Sequence, residues 1–164
     1  MFARIIAAIL SFLMWIFPIF APTEYDQEKK FYTEQTIADT VMAPIKAQDA
    51  EAFEAMICKN IKDNVPDLAE QIETLFQLMD GVTSYTVRGG AMYEANRGPN
   101  RIFKRDADIR FQISGVNLSL FIVWEVNNFS PAEKGIRHVS LWNMDTEESL
   151  VYFVSTEGFL YWHD

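Results

Sequence analysis

Residues 107–124, ADIRFQISGVNLSLFIVW, decide the fold. Apolar and polar side chains alternate on both sides of a short break, the pattern of two half-buried antiparallel strands and their turn. A two-residue type II′ turn takes glycine first, which makes Gly115-Val116 the turn and sets Ser114 opposite Asn117. Counting outward pairs Ile113 with Leu118, Phe111 with Leu120, Ile109 with Ile122 and Ala107 with Trp124. One face of this hairpin is then apolar throughout. The other carries Asp108, Arg110, Gln112, Ser119 and Glu125, with Phe121 and Val123 among them, so its carboxylates are expected in solvent.

Upstream the period is helical. Thr33 is placed to cap a helix carrying Ile37, Val41, Met42 and Ile45, kinked or shortened by Pro44. Asp49 can cap a short second helix with Phe53, Met56 and Ile57. The third is the clearest: Pro66 at its start, a stripe of Leu68, Ile72, Leu75, Phe76 and Met79, and Gly81 as the stop. Cys58 and the nearby methionines read as core filling. From Val82 to Val87 the pattern alternates as a strand, which Arg88-Gly89-Gly90 breaks or bulges, and residues 97–100 form a loop.

Downstream, a turn at residues 130–135 leads to a strand from Ile136 to Met144, a polar turn over 145–148, and a strand from Leu150 to Val154. Phe159 to Trp162 is a candidate last strand. Helices first and an antiparallel meander after them predict an α+β domain, three helices packed on one face of a strongly curved sheet.

The amino terminus is of another kind. Ile5 to Phe17 is an almost unbroken apolar run behind Arg4, the pattern of a secretory signal or an amino-terminal anchor. Phe2 to Ala21 is long enough to span a bilayer at about 1.5 Å per residue. Ala21 suits a cleavage site, whereas Ile19 and Pro22 do not, so cleaved and retained forms both stay open. We therefore read 1–21 as signal peptide or membrane anchor, 22–32 as a polar tether and 33–164 as a single domain. With Arg4 on the cytoplasmic side, everything after it is extracytoplasmic, secreted or held to the membrane by this segment alone.

Charge narrows the partners. The 164 residues carry a formal charge of −9, and Arg4 is the only charge in the first 22, so 13 basic residues face 23 acidic ones in the remainder. Such a body repels phosphate backbones, and nucleic-acid binding is not expected. One cysteine and two histidines make no disulfide and no metal-ligand pattern, and the seven glycines form no phosphate loop. No metal and no cofactor are expected.

Three junctions carry a resemblance: Ala47-Gln48-Asp49-Ala50-Glu51-Ala52-Phe53, Leu78-Met79-Asp80-Gly81-Val82-Thr83-Ser84-Tyr85, and FIVWEVNNFSPAEKG at 121–135 with Ile136 behind it. In layout and at these junctions the chain resembles the nuclear-transport-factor-2-like (cystatin-like) superfamily and, within it, a bacterial family of exported domains of unknown function. The resemblance covers about residues 33–144. It implies a cone-shaped fold that hosts both enzymes, such as isomerases and cyclases, and non-catalytic pockets, and in which dimers through the sheet are common.

Site candidates follow from the strand patterns. Tyr85, Trp124 and Trp142 fall on strands that would line the inside of the cone, as core or as the wall of a ligand pocket. His138 and Ser140 join them if Trp142 points inward, and lie on the surface if Val139 and Leu141 do. Phe121 and Val123, apolar on a polar face, are the candidate contact for a homodimer or protein partner. The outward carboxylates Asp108 and Glu125 leave acid–base chemistry without a base. The expectation is an extracytoplasmic binding module without turnover, for a protein partner or a small apolar ligand. The alternatives are a small cyclase- or isomerase-like enzyme using His138, and an immunity or accessory protein for a basic partner.

Overall fold

Thr33 begins the packed body as its hydroxyl permits. Its Oγ1 accepts from the Thr36 amide at 3.2 Å while the Thr36 hydroxyl accepts from the Thr33 amide at 2.7 Å, a reciprocal cap. The computed structural model describes residues 24–97, 100–127 and 130–155. Among them run α1 (Glu24–Phe31), α2 (Glu34–Ala47), α3 (Ala50–Ala55), α4 (Lys59–Asn64) and α5 (Leu68–Leu78). The strands β1 (Thr86–Arg97), β2 (Asn100–Ile113), β3 (Val116–Asn127), β4 (Gly135–Asn143) and β5 (Glu148–Val154) follow, with a short 3₁₀ turn at Pro131–Glu133.

The helical stripes bury as their spacing requires. Ile37, Val41 and Ile45 of α2, Phe53 of α3 and Leu75 of α5 have no exposed surface. Pro44 lies inside α2, which ends at Gln48 in the left-handed region at φ 55°. Asp49 caps α3 by accepting from the Ala52 amide at 2.9 Å. Two helices were not legible. Residues 24–31, read as an aperiodic tether, form α1; Lys29 pairs with Glu94 on β1, and Tyr32 stacks on Trp124 with ring centroids 4.8 Å apart. The six residues of α4 are too few for a periodic signal.

The strands make one antiparallel sheet in sequence order, β1 to β5. Among the described residues the chain is thus α+β with a five-stranded meander. The expected pairing of the central hairpin is corrected by two residues. Ile113 pairs with Val116, Phe111 with Leu118, Ile109 with Leu120 and Ala107 with Ile122, because the turn is Ser114-Gly115. Both turn residues have positive φ, 51° and 85°, which a type I′ turn demands and which serine tolerates ahead of glycine. A slip of two preserves the faces, since side chains alternate with period two. Ala107, Ile109, Phe111, Leu118, Leu120, Ile122 and Trp124 are all buried on the helix side.

Three irregularities interrupt the ladder, at Gly89/Met92, Val123/Trp124 and Leu141/Trp142. The first is the expected break, a bulge; β1 itself begins at Thr86, later than Val82. Asp106 fills the bulge so closely that a Cβ on Gly90 would collide with its carboxyl group. At the far end Gly135, at φ 113°, lets Ile136 bond to the passing segment 56–58: Ile136 N donates to Met56 O at 2.9 Å and Cys58 N to Ile136 O at 3.0 Å. Cys58 is buried there, and burial pushes its thiol up, in keeping with a core role. Among the described residues no helix is long and apolar enough to cross a membrane. The candidate strand at 159–162 and the apolar run at 1–21 lie outside the described residues.

Candidate functional site

The outer face of the sheet is a grid that the registers fix. One row across β2, β3, β4 and β5 reads Asp108, Phe121, Ser140, Tyr152. On one side lies the row Arg110, Ser119, Trp142, Ser149; on the other, Asp106, Val123, His138, Val154. Neighbouring strands stand about 5 Å apart, so large rings flanking a serine leave a hollow above it. Ser140 is that serine. Phe121, His138, Trp142 and Tyr152 stand around it, and Asp108, Ser119, Asn143, Met144 and Glu147 complete an open groove of about 500 Å³.

The polar atoms of the floor are engaged. Ser119 Oγ donates to Asp108 Oδ1 at 2.5 Å, and Arg110 Nε donates to Asp108 Oδ2 at 2.9 Å. His138 Nε2 and Ser140 Oγ lie 3.1 Å apart, within hydrogen-bond distance. The imidazole meets Phe121 and Tyr152 edge to face, with centroids at 5.4 Å and 5.2 Å. Burial among these rings holds the His138 pKa down to about 4, so the ring is neutral near neutral pH. The rim is apolar and open: Trp142 is 38% exposed, Met144 42% and Tyr152 44%.

Of the two orientations left open for β4, the structure has Val139 and Leu141 facing the helices, each fully buried. His138, Ser140 and Trp142 are therefore on the outer face, and the expectation that Trp142 lines the interior is corrected. The pairing of Trp124 with Ile136, one residue early across the β3–β4 bulge, is why Ile136 points inward while Trp142 does not. Of that group Trp124 is buried inside, under Tyr32, and Tyr85 packs half-buried against the core. Tyr85 sits ahead of β1, its hydroxyl donating to Asp39 Oδ1 at 2.6 Å with the Lys46 ammonium 4.7 Å above its ring. Burial and that bond push the Tyr85 hydroxyl up to about 12, so it serves as a brace between sheet and α2. Phe121 is half-buried in the groove wall, and Val123 is half-buried beside it, opposite His138. Three of the pocket candidates, His138, Ser140 and Trp142, thus meet the partner-face candidates Phe121 and Val123 on one surface.

The expectation of solvated carboxylates holds for Asp108 only in part and fails for Glu125. Glu125 is fully buried, with Arg137 at 2.6 Å and Lys104 at 3.3 Å, and Arg137 also reaches Glu133 at 2.8 Å. Ser155, which accepts from Arg137 at 2.7 Å, bonds Asn60 of α4 at 2.7 Å and ties helix, 3₁₀ turn and strands together. Lys104 stands opposite Glu125 across the hairpin, whereas Arg137, Glu133 and Ser155 come from outside it, where the hairpin's alternation carries no information. Tyr152 was missed as a groove residue because Leu150 is an extra residue in β5 and shifts the parity, and Met144 and Glu147 because they lie in the β4–β5 turn, where alternation does not apply. Among the described residues no group of three or more His, Cys, Asp or Glu side chains is placed to hold a metal ion.

No curated protein matches the sequence. A family model does match, over residues 40–146, from within α2 through β4 to the turn that closes the groove. That span is more than half of the chain and carries every groove residue except Glu147 and Tyr152. By that match the chain belongs to the family described as a domain of unknown function, DUF5104.

Proposed function

We propose that this protein is a binding module without turnover, working outside the cytoplasm, and that it holds a small ligand with apolar groups in the outer-face groove. The observation that carries this reading is the exposed aromatic rim of Trp142 and Tyr152 around a serine-floored hollow of about 500 Å³, within the size range of small-molecule sites. Isolated exposed aromatics need no explanation. Two of them with Met144 around one concavity do. Against acid–base turnover stands the setting of His138: it faces Ser140, is flanked by two rings and is uncharged near neutral pH. Asp108, the carboxylate of the floor, is already bound by Ser119 and Arg110. The extracytoplasmic placement rests on the apolar run behind Arg4. The three irregularities of the sheet are the kind that bend strands and support a cone-shaped, nuclear-transport-factor-2-like reading of the fold.

A saturation-transfer NMR screen of small apolar molecules against the full-length chain tests this. Bound molecules should lose their signal with Trp142→Ala and with Tyr152→Ala, and keep it with Tyr85→Phe, which lies away from the groove. Binding indifferent to both groove substitutions would overturn the assignment.

A further inference from the structure

We infer that the groove selects an alkylammonium cation, an inference that rests on the groove being a binding site. Its walls are aromatic and its rim offers negative charge, and no cation competes from the β4–β5 side. From His138 to Ser155, the hairpin that supplies most of the lining, there is no lysine or arginine, while Asp145, Glu147 and Glu148 are all in or beside its turn. Asp145 is held firmly ionised, its carboxyl lowered by hydrogen bonds from the Asn117 side chain at 2.8 Å and the Asn117 amide at 3.0 Å. Across the floor, Arg110 is spent on Asp108 at 2.9 Å, and the exposed Arg88 of β1 stands on the far side of Asp108 from the hollow.

An aromatic surface with acidic neighbours discriminates by charge, since the negative face of a ring attracts a cation over and above the apolar contact that a neutral group of the same shape also makes. The floor serines already have partners, which leaves few hydrogen bonds to reward a ligand rich in donors and acceptors. A quaternary ammonium, bulky, apolar at its surface and without N–H groups, fits that chemistry best. An anion in the hollow would face the carboxylates of Asp108 and Glu147, with Arg88 a strand beyond Asp108 at the far end of the row.

The probes are choline and 3,3-dimethyl-1-butanol, which share size and shape and differ in the central charged nitrogen. Dissociation constants for the full-length chain, from NMR shift titrations, should favour choline at least tenfold, with the preference falling as salt rises. Tyr152→Leu keeps an apolar wall and removes the π face, so it should erase the preference, while Trp142→Phe should retain most of it. Glu147→Gln should weaken choline several-fold and leave the alcohol unchanged. Equal affinity for the two probes would overturn the cation inference and leave the groove standing as an apolar site. Absence of binding by either would overturn both.

Discussion

His138 shows how far one side chain's meaning depends on its strand. On the inside of the sheet it would be a candidate acid or base; on the outside, flanked by Phe121 and Tyr152, it is part of a wall. Its titration separates the two. The folded value near 4 lies below the ordinary 6.5, so below about 6.5 the unfolded chain takes up a proton that the folded chain refuses. The contribution of neutral His138 to stability is thus complete above that pH and is lost as pH falls towards 4. An NMR titration of its ring should show a midpoint near 4; a midpoint at the ordinary value would place the ring in water. Asp106 has the opposite sign. Burial in the bulge raises its carboxyl above 3.8, so ionisation costs stability as pH climbs through that window. Asp106→Asn should raise the urea midpoint at neutral pH, with the gain vanishing below the ordinary carboxylate range. Gly90→Ala, which drives a methyl group into the same carboxyl, should destabilise by about 1–3 kcal/mol.

At the scale of elements, alternation made the hairpin's faces legible and left its pairing open. Period two says which side chains share a face, and every apolar residue from Ala107 to Trp124 on the expected side is buried or half-buried except Val116, exposed beside the turn. The pairing depended on the turn, and Gly115 satisfies a turn as its second residue as well as its first. Serine in the left-handed region decided the matter. Ser114→Asn should therefore stabilise by about 0.5 kcal/mol, as asparagine takes positive φ more readily and Asn-Gly is the favoured type I′ pair. No gain would return the turn to Gly115-Val116. Phe111→Ala should cost about 3–5 kcal/mol through the cavity it opens, against under about 0.5 kcal/mol for Gln112→Ala on the exposed side. The bulge at Gly89 was legible from its glycines; the two later ones are what sequence reading could not reach. The extra residues at Arg137 and Leu150 change which face the next side chains take, so Trp142 and Tyr152 could not be placed by counting.

For the whole molecule, an acidic body behind an apolar segment bearing Arg4 sets the expected topology. A phosphatase that matures only after export, fused at Asp164, should be active in cells; activity of a cytoplasmic reporter in its place would contradict it. The sheet divides the molecule's tasks. Its inner face is closed by side chains such as Leu120, Ile122, Val139 and Leu141, none of which retains exposed surface. Its outer face keeps aromatic rings in solvent above engaged serines. The most direct test of the proposed binding at the outer face is therefore a map of backbone and indole shifts on the uniformly ¹⁵N-labelled full-length chain as choline is added. The account predicts that the changes gather at residues 119–121, 138–142 and 152, with the Trp142 indole moving and the buried Trp124 indole still. Changes centred on Trp124, Tyr32 and the helices would place the site on the inner face and contradict it.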